Sequence, residues 1–260
     1  MSDYKIAFID IENAPNIGIT WGKYDQNVLS FVQEGYMLSF AVKWAGSGTI
    51  ECYALPDFPG YKRNPTDDTA LTKKLWEVYN KADYIVAHNA VAFDDRKSNT
   101  FFLRNIGEPP PPTKIGDTML TLRKHFMLND NSLAGACKSL GCPWEKIDTG
   151  GIDLWLDCMD GDEAAWRKMI RYNKHDVRML EWLYYKIRPW MRTHPNVSLG
   201  TGKEDLACPV CGKQDTIGPR GYRALKSYRA RLYHCYKNRG GCGAWPTGKR
   251  EKIQGEILSA

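Results

Sequence analysis

No stretch of the 260-residue sequence approaches the roughly 20 consecutive apolar residues that span a bilayer, which sets a membrane role aside. The first thirteen residues, MSDYKIAFIDIEN, lack a basic leader followed by an apolar region and a small-residue cleavage site, so a cytoplasmic location is expected. Internal repeats and low-complexity blocks are missing as well, which leaves an ordinary folded domain rather than a solenoid or a disordered tract. The first two hundred residues also have no regularly spaced cysteine pairs. Cys52, Cys137, Cys142 and Cys158 are scattered, as buried small hydrophobes are, rather than arranged as disulfide partners.

What is present is a body and a tail of different character. At 43% hydrophobic and 25% charged residues the chain has apolar material for one domain with a core, and its length leaves room for a small appended module. The formal net charge is +6, yet from His194 onward there are 12 Lys/Arg against 5 Asp/Glu, whereas the preceding residues hold 24 against 25. A near-neutral body with a basic tail suits a polyanion-binding module attached to a site made of carboxylates; solvated surface cations are the plain alternative. The division is placed at 1–193 for the body and 194–260 for linker and module, with His194-Pro-Asn196 and Gly200-Thr-Gly202 marking the linker.

The run Tyr4–Ile11, rich in Ile and Phe and closed by Asn13-Ala-Pro-Asn16, predicts a buried strand and then a loop. Strands at 35–43 and 49–55, separated by Ala45-Gly-Ser-Gly48, predict a hairpin, with all three strands antiparallel neighbours. Leu71, Leu75, Val78 and Tyr79 recur at helical spacing and predict a helix over about 67–82. Strand and helix then alternate, with a strand at 84–87, a helix at 93–106 and, after the stiff Glu108-Pro-Pro-Pro-Pro112, a strand at 113–117. Helices are predicted at 118–126, 131–140 and about 162–187, the last closed by Pro189. This is the pattern of an α/β domain with a mixed sheet flanked by helices.

Three groups of residues carry the chemistry. Asp10 and Glu12 flank Ile11 at the end of the first strand, so both carboxylates project from one face. Alone, Asp-x-Glu is common at solvated strand ends. Asp94 lies where a strand ending at His88-Asn89 gives way to a helix; it can be a ligand or simply an acid favoured at a helix start, and Asp95 is an alternative ligand. Tyr172 and Asp176, four apart on the last helix, share a face, which is again ordinary in isolation. Asp117 is a fifth acid, assigned to capping the helix that follows it.

In combination and in this order, Phe8-Ile-Asp10-Ile-Glu12, His88-Asn89 through Phe93-Asp94, and Tyr172-x-x-x-Asp176 resemble the three motifs of the DEDD, or DnaQ-like, 3′–5′ exonucleases over roughly residues 4–190. Tyrosine four residues before the aspartate marks the DEDDy branch; the sister branch wants histidine five residues before Asp176, where Arg171 stands. Lys114-Ile-Gly-Asp-Thr118, Thr149-Gly-Gly151 and Leu154-Trp155 are similar to stand-alone phage and bacterial members, and a phage-encoded chain would work in its host's cytoplasm. The second motif has three residues rather than two between its His-Asn and Phe-Asp pairs, which leaves the choice of Asp94 or Asp95 open.

The resemblance implies a ribonuclease H-like fold and a two-metal 3′–5′ exonuclease acting on nucleic acid, with DNA at single-stranded 3′ ends favoured over RNA. It implies two Mg²⁺ or Mn²⁺ ions held by Asp10, Glu12, Asp94 and Asp176, with Asp10 bridging both ions and Tyr172 orienting the attacking water. Oxygen ligands suit these hard cations. His88 and Asn89 are expected to brace the site. The rival readings are an RNA-processing exonuclease of the same mechanism, and a non-cleaving protein that docks nucleic acid or a replication or recombination partner.

In the tail, Cys208-Pro-Val-Cys211 has the two-residue spacing that lets both thiolates face one ion, and Cys235 and Cys242 offer the remaining ligands of a structural Zn²⁺. The six-residue gap between the second pair is long, so His234 stays open as a replacement for one cysteine. A four-cysteine zinc ribbon is the expectation. Between the pairs lie Arg220, Tyr222, Arg223, Tyr228, Arg229 and Arg231, suited to contacting phosphates and stacking on bases, or to filling and solvating a small core.

Overall fold

Strand β1 (Ile6–Asn13) leads into a short hairpin, β2 (Ile17–Ile19) with β3 (Ser30–Gln33), before the chain returns as β4 (Met37–Trp44). The computed structural model describes residues 4–24, 26–201, 206–225 and 228–252, and the chain divides into a unit Lys5–Tyr185 and a second formed chiefly from Lys186 onward. In the first unit β1 pairs antiparallel with β4 and parallel with β6 (Tyr84–Ala87). Strand β5 (Glu51–Ala54) extends the antiparallel side and β7 (Lys114–Asp117) the parallel side, in the order β5-β4-β1-β6-β7. The mixed sheet and the antiparallel trio β1, β4 and β5 agree with the sequence prediction.

Side-chain alternation along β1 sets the layout. Ala7, Ile9 and Ile11 enter the core shared with Leu71, Leu75, Val78 and Tyr79 of α1 (Thr69–Lys81) and with Phe101 and Phe102 of α2 (Asp94–Asn105). Each such large side chain contributes roughly 1.5–3 kcal/mol on full burial. Phe8 points the other way and meets Tyr184 of α6 (Glu163–Ile187) edge to face, with ring centroids 5.1 Å apart. Asp10 and Glu12 share the face of Phe8 and are thereby aimed at α6.

The intervening helices are α3 (Thr118–His125), α4 (Leu133–Ser139) and α5 (Asp153–Met159). Asp117 caps α3 by accepting from the backbone N–H of Leu120 at 2.9 Å, and Ser132 caps α4 through Gly135 at 3.1 Å. Each cap contributes about 1 kcal/mol. In this unit the β2–β3 hairpin and α5 lie outside the sequence prediction. The hairpin strands are three and four residues long and are not joined by a tight-turn dipeptide. The seven-residue α5 follows Gly150 and Gly151, which adopt φ of 77° and 76° and so turn the chain sharply where a side chain would be strained.

The second unit is a three-stranded antiparallel sheet of order β10-β9-β8, from β8 (Ile217–Leu225), β9 (Tyr228–Cys235) and β10 (Thr247–Lys252). Its buried centre is Cys208, Cys235 and Ala244, with Val210 and Ile217 against them. Part of the segment read as a linker is built into this unit: Val197 is buried and its N–H donates to the Pro209 carbonyl at 2.9 Å. The rest of that segment, Gly202-Lys-Glu204, lies outside the described residues.

Candidate active site and zinc centre

Because β1, β6 and β7 run parallel, their carboxyl ends share one edge of the sheet, the place where open α/β sheets present polar groups to ligands. Asp10 and Glu12 reach this edge from β1, and Asp176 comes from α6. Carboxylate oxygens of the three lie within 4.8 Å of one another. Asp94 is outside that trio but beside it: buried in the first turn of α2, it lies near enough to feel the backbone N–H of Ile11 and the charge of Asp10. Asp95 is half-buried, and its side chain interacts with Asn99 instead. Of the two registers, Asp94 is the one turned to the cluster.

The electrostatics are those of a place short of positive charge. Burial, then the charges of Glu12 and Asp176, push the Asp10 carboxyl well above its usual range. Burial and then Asp176 raise Glu12 to about 8. Asp94 is raised by burial and then by Asp10, and Asp176 by burial, which the Lys146 ammonium opposes from 3.1 Å. The buried Oδ1 of Asp176 has no hydrogen-bond partner among the described residues. Converging oxygen donors, mutual repulsion and an orphaned carboxylate oxygen fit Mg²⁺ or Mn²⁺.

Three further side chains organise the carboxylates. Asn173 Nδ2 donates to Asp10 Oδ2 at 2.6 Å and to the Asp10 carbonyl at 3.1 Å, while its Oδ1 accepts from Ser39 Oγ at 3.4 Å. Trp155 of α5 donates its indole N–H to Glu12 Oε2 at 3.0 Å and meets the Tyr172 ring edge to face, with centroids 5.9 Å apart. Lys146 bridges Asp176 and the face of Tyr172, 5.1 Å from the ring centroid. Sequence reasoning named none of them as site residues. Asn173 stands next to Tyr172 within the third motif and could have been found there; Lys146 lies in an irregular segment with no periodic signal.

His88 and Asn89 stay out of the carboxylate cluster. The His88 ring spans Thr118 Oγ1 and the Asn131 carbonyl, both at 2.9 Å, and burial lowers its pKa, so it is a neutral strut. Asn89, at φ 68°, makes the left-handed turn that joins β6 to α2 and thereby places Asp94. Asp117 is occupied by the N–H groups of Leu120 and Val91.

A stability measurement follows from the raised carboxyl groups. Glu12 has an ordinary value of 4.5 and is raised to about 8 in the fold, so its contribution to stability is present below about 4.5 and is lost as pH rises through about 8. In chelator, Tm is expected to fall across that window, each kcal/mol amounting to roughly 2–4 °C. Added Mg²⁺ should raise Tm more at pH 8.5 than at pH 5, because cations offset charge only where the carboxylates are ionised. Equal thermal shifts at the two pH values would contradict this account of the site.

In the second unit, Sγ atoms of Cys208, Cys211, Cys235 and Cys242 also lie within 4.8 Å of one another, with Cys208–Cys242 at 3.8 Å and Cys211–Cys235 at 3.7 Å. Four converging thiols suit Zn²⁺. The long gap in the second pair is taken up by a 3-10 turn, Lys237–Arg239, and by Gly240 at φ 76°, which return the chain so that the Cys242 N–H meets Cys235 Sγ at 3.3 Å. His234 is not part of this group; its ring stacks on Trp245 at 4.3 Å. The six exposed residues singled out on β8 and β9 are divided between faces. Cross-strand register puts Tyr222 opposite Arg231, with Arg229 over the Tyr222 ring at 4.9 Å, whereas Arg223 lies opposite Ala230 and shares the other face with Tyr228. Arg220 sits over Tyr236 at 5.1 Å, and Arg229 is also paired with Glu251 at 3.1 Å.

A family model described as the RNase_H superfamily matches residues 39–188. The match begins after β1, so Asp10 and Glu12 enter the site through the geometry rather than through the match. No curated protein matches the chain. Among solved structures, the family B DNA polymerase from the hyperthermophilic archaeon Pyrobaculum calidifontis is similar at 16% identity and a TM-score of 0.51, over 76% of this chain and 26% of the polymerase. The chain therefore spans about a quarter of that polymerase's length, and at this identity the likeness is one of fold.

Proposed function

Because the chain belongs to the RNase_H superfamily, we propose that it is a metal-dependent nuclease, specifically a DEDDy-type 3′–5′ exonuclease that hydrolyses phosphodiester bonds at single-stranded 3′ ends. The observation that carries this reading is the convergence of Asp10, Glu12 and Asp176, with Asp94 beside them, at the end of the parallel strands. We favour DNA over RNA as the substrate, a reading supported only by analogy of fold with a DNA polymerase.

Two divalent cations, when bound, supply the positive charge that offsets the charge developing on the attacking and leaving oxygens of the phosphate. Asp10, Glu12 and Asp176 would hold one, and Asp10 with Asp94 the other. Around them the chain's own residues fix positions. Asn173 locks the Asp10 rotamer, and Trp155 engages one oxygen of Glu12, leaving the other for a ligand. Tyr172, pushed above its usual pKa by burial and then by Asp176, keeps its proton and acts as a hydrogen-bond donor that orients water rather than as a base. Lys146 supplies a cation at Asp176. A zinc ribbon presenting Tyr222, Arg229 and Arg231 on one face would hold the strand.

Digestion of 5′-labelled single-stranded DNA and RNA of equal sequence, with Mg²⁺, Mn²⁺ or chelator, tests the reading. A metal-dependent ladder shortening from the 3′ end supports it, and the relative rates choose between DNA and RNA. Intact substrate with either metal, in a folded protein that still binds both strands, would replace it by a binding role. Trp155→Phe keeps the ring against Tyr172 but removes the N–H from Glu12. Partners of metal ligands typically matter 10–100-fold, so kcat is expected to fall about tenfold and the half-saturating Mg²⁺ concentration to rise. An unchanged metal titration would assign Trp155 to packing alone.

A further inference from the structure

Exposed apolar side chains cluster in the β2–β3 hairpin, between Ile19 and Val32. Trp21 is 88% exposed, Tyr24 75% and Phe31 52%. Aromatics this exposed contribute little to the fold, the Tyr24 ring meeting the Lys23 ammonium at 5.7 Å from its centroid, and their clustering marks a surface suited to being covered by something else.

The hairpin is firmly rooted. The Ala14 N–H donates to the Tyr36 carbonyl at 2.8 Å and the Gly35 N–H to Asn16 Oδ1 at 2.6 Å, while a Cβ on Gly35 would lie 2.5 Å from the Ala14 carbonyl oxygen. Its arms thus prolong the antiparallel pairing of β1 with β4 past the point where Glu12 faces Ser39. Ile17 follows Glu12 by five residues, at most roughly 17 Å of extended chain. A strand whose terminal phosphate lies at the carboxylates has no more than about that distance to cover to reach the root of the hairpin.

The chemistry of the surface narrows its occupant. Between Ile17 and Gln33 the sequence has only Lys23 and Asp25 as charged residues, so phosphates find little there to bind. Flat rings stack on the faces of bases, and only unpaired bases offer those faces. We propose that the β2–β3 hairpin is a stacking platform for unpaired bases of the strand being cut, with Trp21, Tyr24 and Phe31 as its contacts; this rests on the nuclease reading above. The platform makes a single-stranded or frayed 3′ end the substrate and leaves the inner bases of a duplex unbound.

The test compares a 5′-labelled 12-nucleotide DNA strand with the same strand made abasic near its 3′ end, using the full chain. For the native protein the abasic strand is expected to have a KM about tenfold or more higher. In the triple variant Trp21→Ala, Tyr24→Ala, Phe31→Ala, that ratio is expected to fall toward one. Trp21→Phe should retain part of the ratio that Trp21→Leu loses, since only the former keeps a flat face. A triple variant that retains the native ratio overturns the proposal, as does one that retains it while changing from dimer to monomer in sedimentation, which would give the surface to a second copy of the chain. If neither strand is cut with any metal, the nuclease reading fails on its own. Anisotropy of the two labelled strands in chelator then still decides the hairpin: base-dependent binding lost in the triple variant supports it, and equal binding by the two proteins overturns it.

Discussion

Asp10→Asn is expected to lower strand hydrolysis by about 10³-fold or more while leaving the metal-free protein as stable as the native chain or more so. Both parts follow from the same contacts. Asp10 is buried against Glu12 and Asp176, and burial with those two charges raises its carboxyl well above the usual range, so the ionised form is disfavoured in the absence of cations. Asparagine keeps the size of the side chain and an oxygen for the Asn173 amide, which now donates to Asp10 Oδ2 at 2.6 Å, and it removes the repulsion. The same substitution removes the carboxylate assigned to both cations, whose charge stabilisation amounts to several kcal/mol of the barrier, each 1.4 kcal/mol being tenfold in rate. Initial rates on labelled single-stranded DNA and Tm in chelator are the two measurements. Opposite movements in rate and stability identify a site that trades stability for chemistry. A variant that cuts within tenfold of the native rate would remove Asp10 from the mechanism.

Where residues act through the chain's own periodicity, the fold was legible in the sequence. The alternation of Asp10 and Glu12 about Ile11 tells which face of β1 carries the carboxylates, and Leu71, Leu75, Val78 and Tyr79 set α1 within two residues of its observed ends. Such signals depend on neighbours a few positions apart. The contacts that organise the site do not. Trp155 meets Glu12 across 143 positions and Asn173 meets Asp10 across 163; the third motif could flag Asn173 as a neighbour of the site, but nothing local to either residue names the carboxylate it holds. The hairpin was illegible for a different reason. Its strands are short, and its aromatics face solvent, so the hydrophobic periodicity by which a strand declares a buried face never forms. The Asp94 and Asp95 ambiguity was of a third kind, one residue of register at the start of a helix, which only the left-handed turn at Asn89 resolves.

Cys208→Ser, or removal of metal from the native chain, is expected to unfold the cysteine-bearing unit while the Lys5–Tyr185 unit keeps its structure. The three-stranded sheet has little else to hold it. Its buried centre is Cys208, Cys235 and Ala244, of which two are thiols, and among the described residues from Val197 onward the other buried apolar side chains are the small Val197 and Ala230. Of its aromatic groups, Tyr222 and Trp245 are more than half exposed while Tyr233 and Tyr236 are half-buried. Units this small rarely fold on apolar burial alone, whereas a structural Zn²⁺ contributes about 10–16 kcal/mol that is present only when the ligands converge. Serine lacks the soft donor and leaves three ligands facing a buried gap. The expected results are one equivalent of zinc in the native protein and loss of it in the variant. Amide protection across β8, β9 and β10 should vanish with the metal, and strand affinity should become less dependent on salt as Arg229 and Arg231 cease to be presented on one face. A variant free of zinc whose sheet amides stay protected would show that the tyrosines and the strand pairing suffice, and the cysteine cluster would then need another explanation than folding.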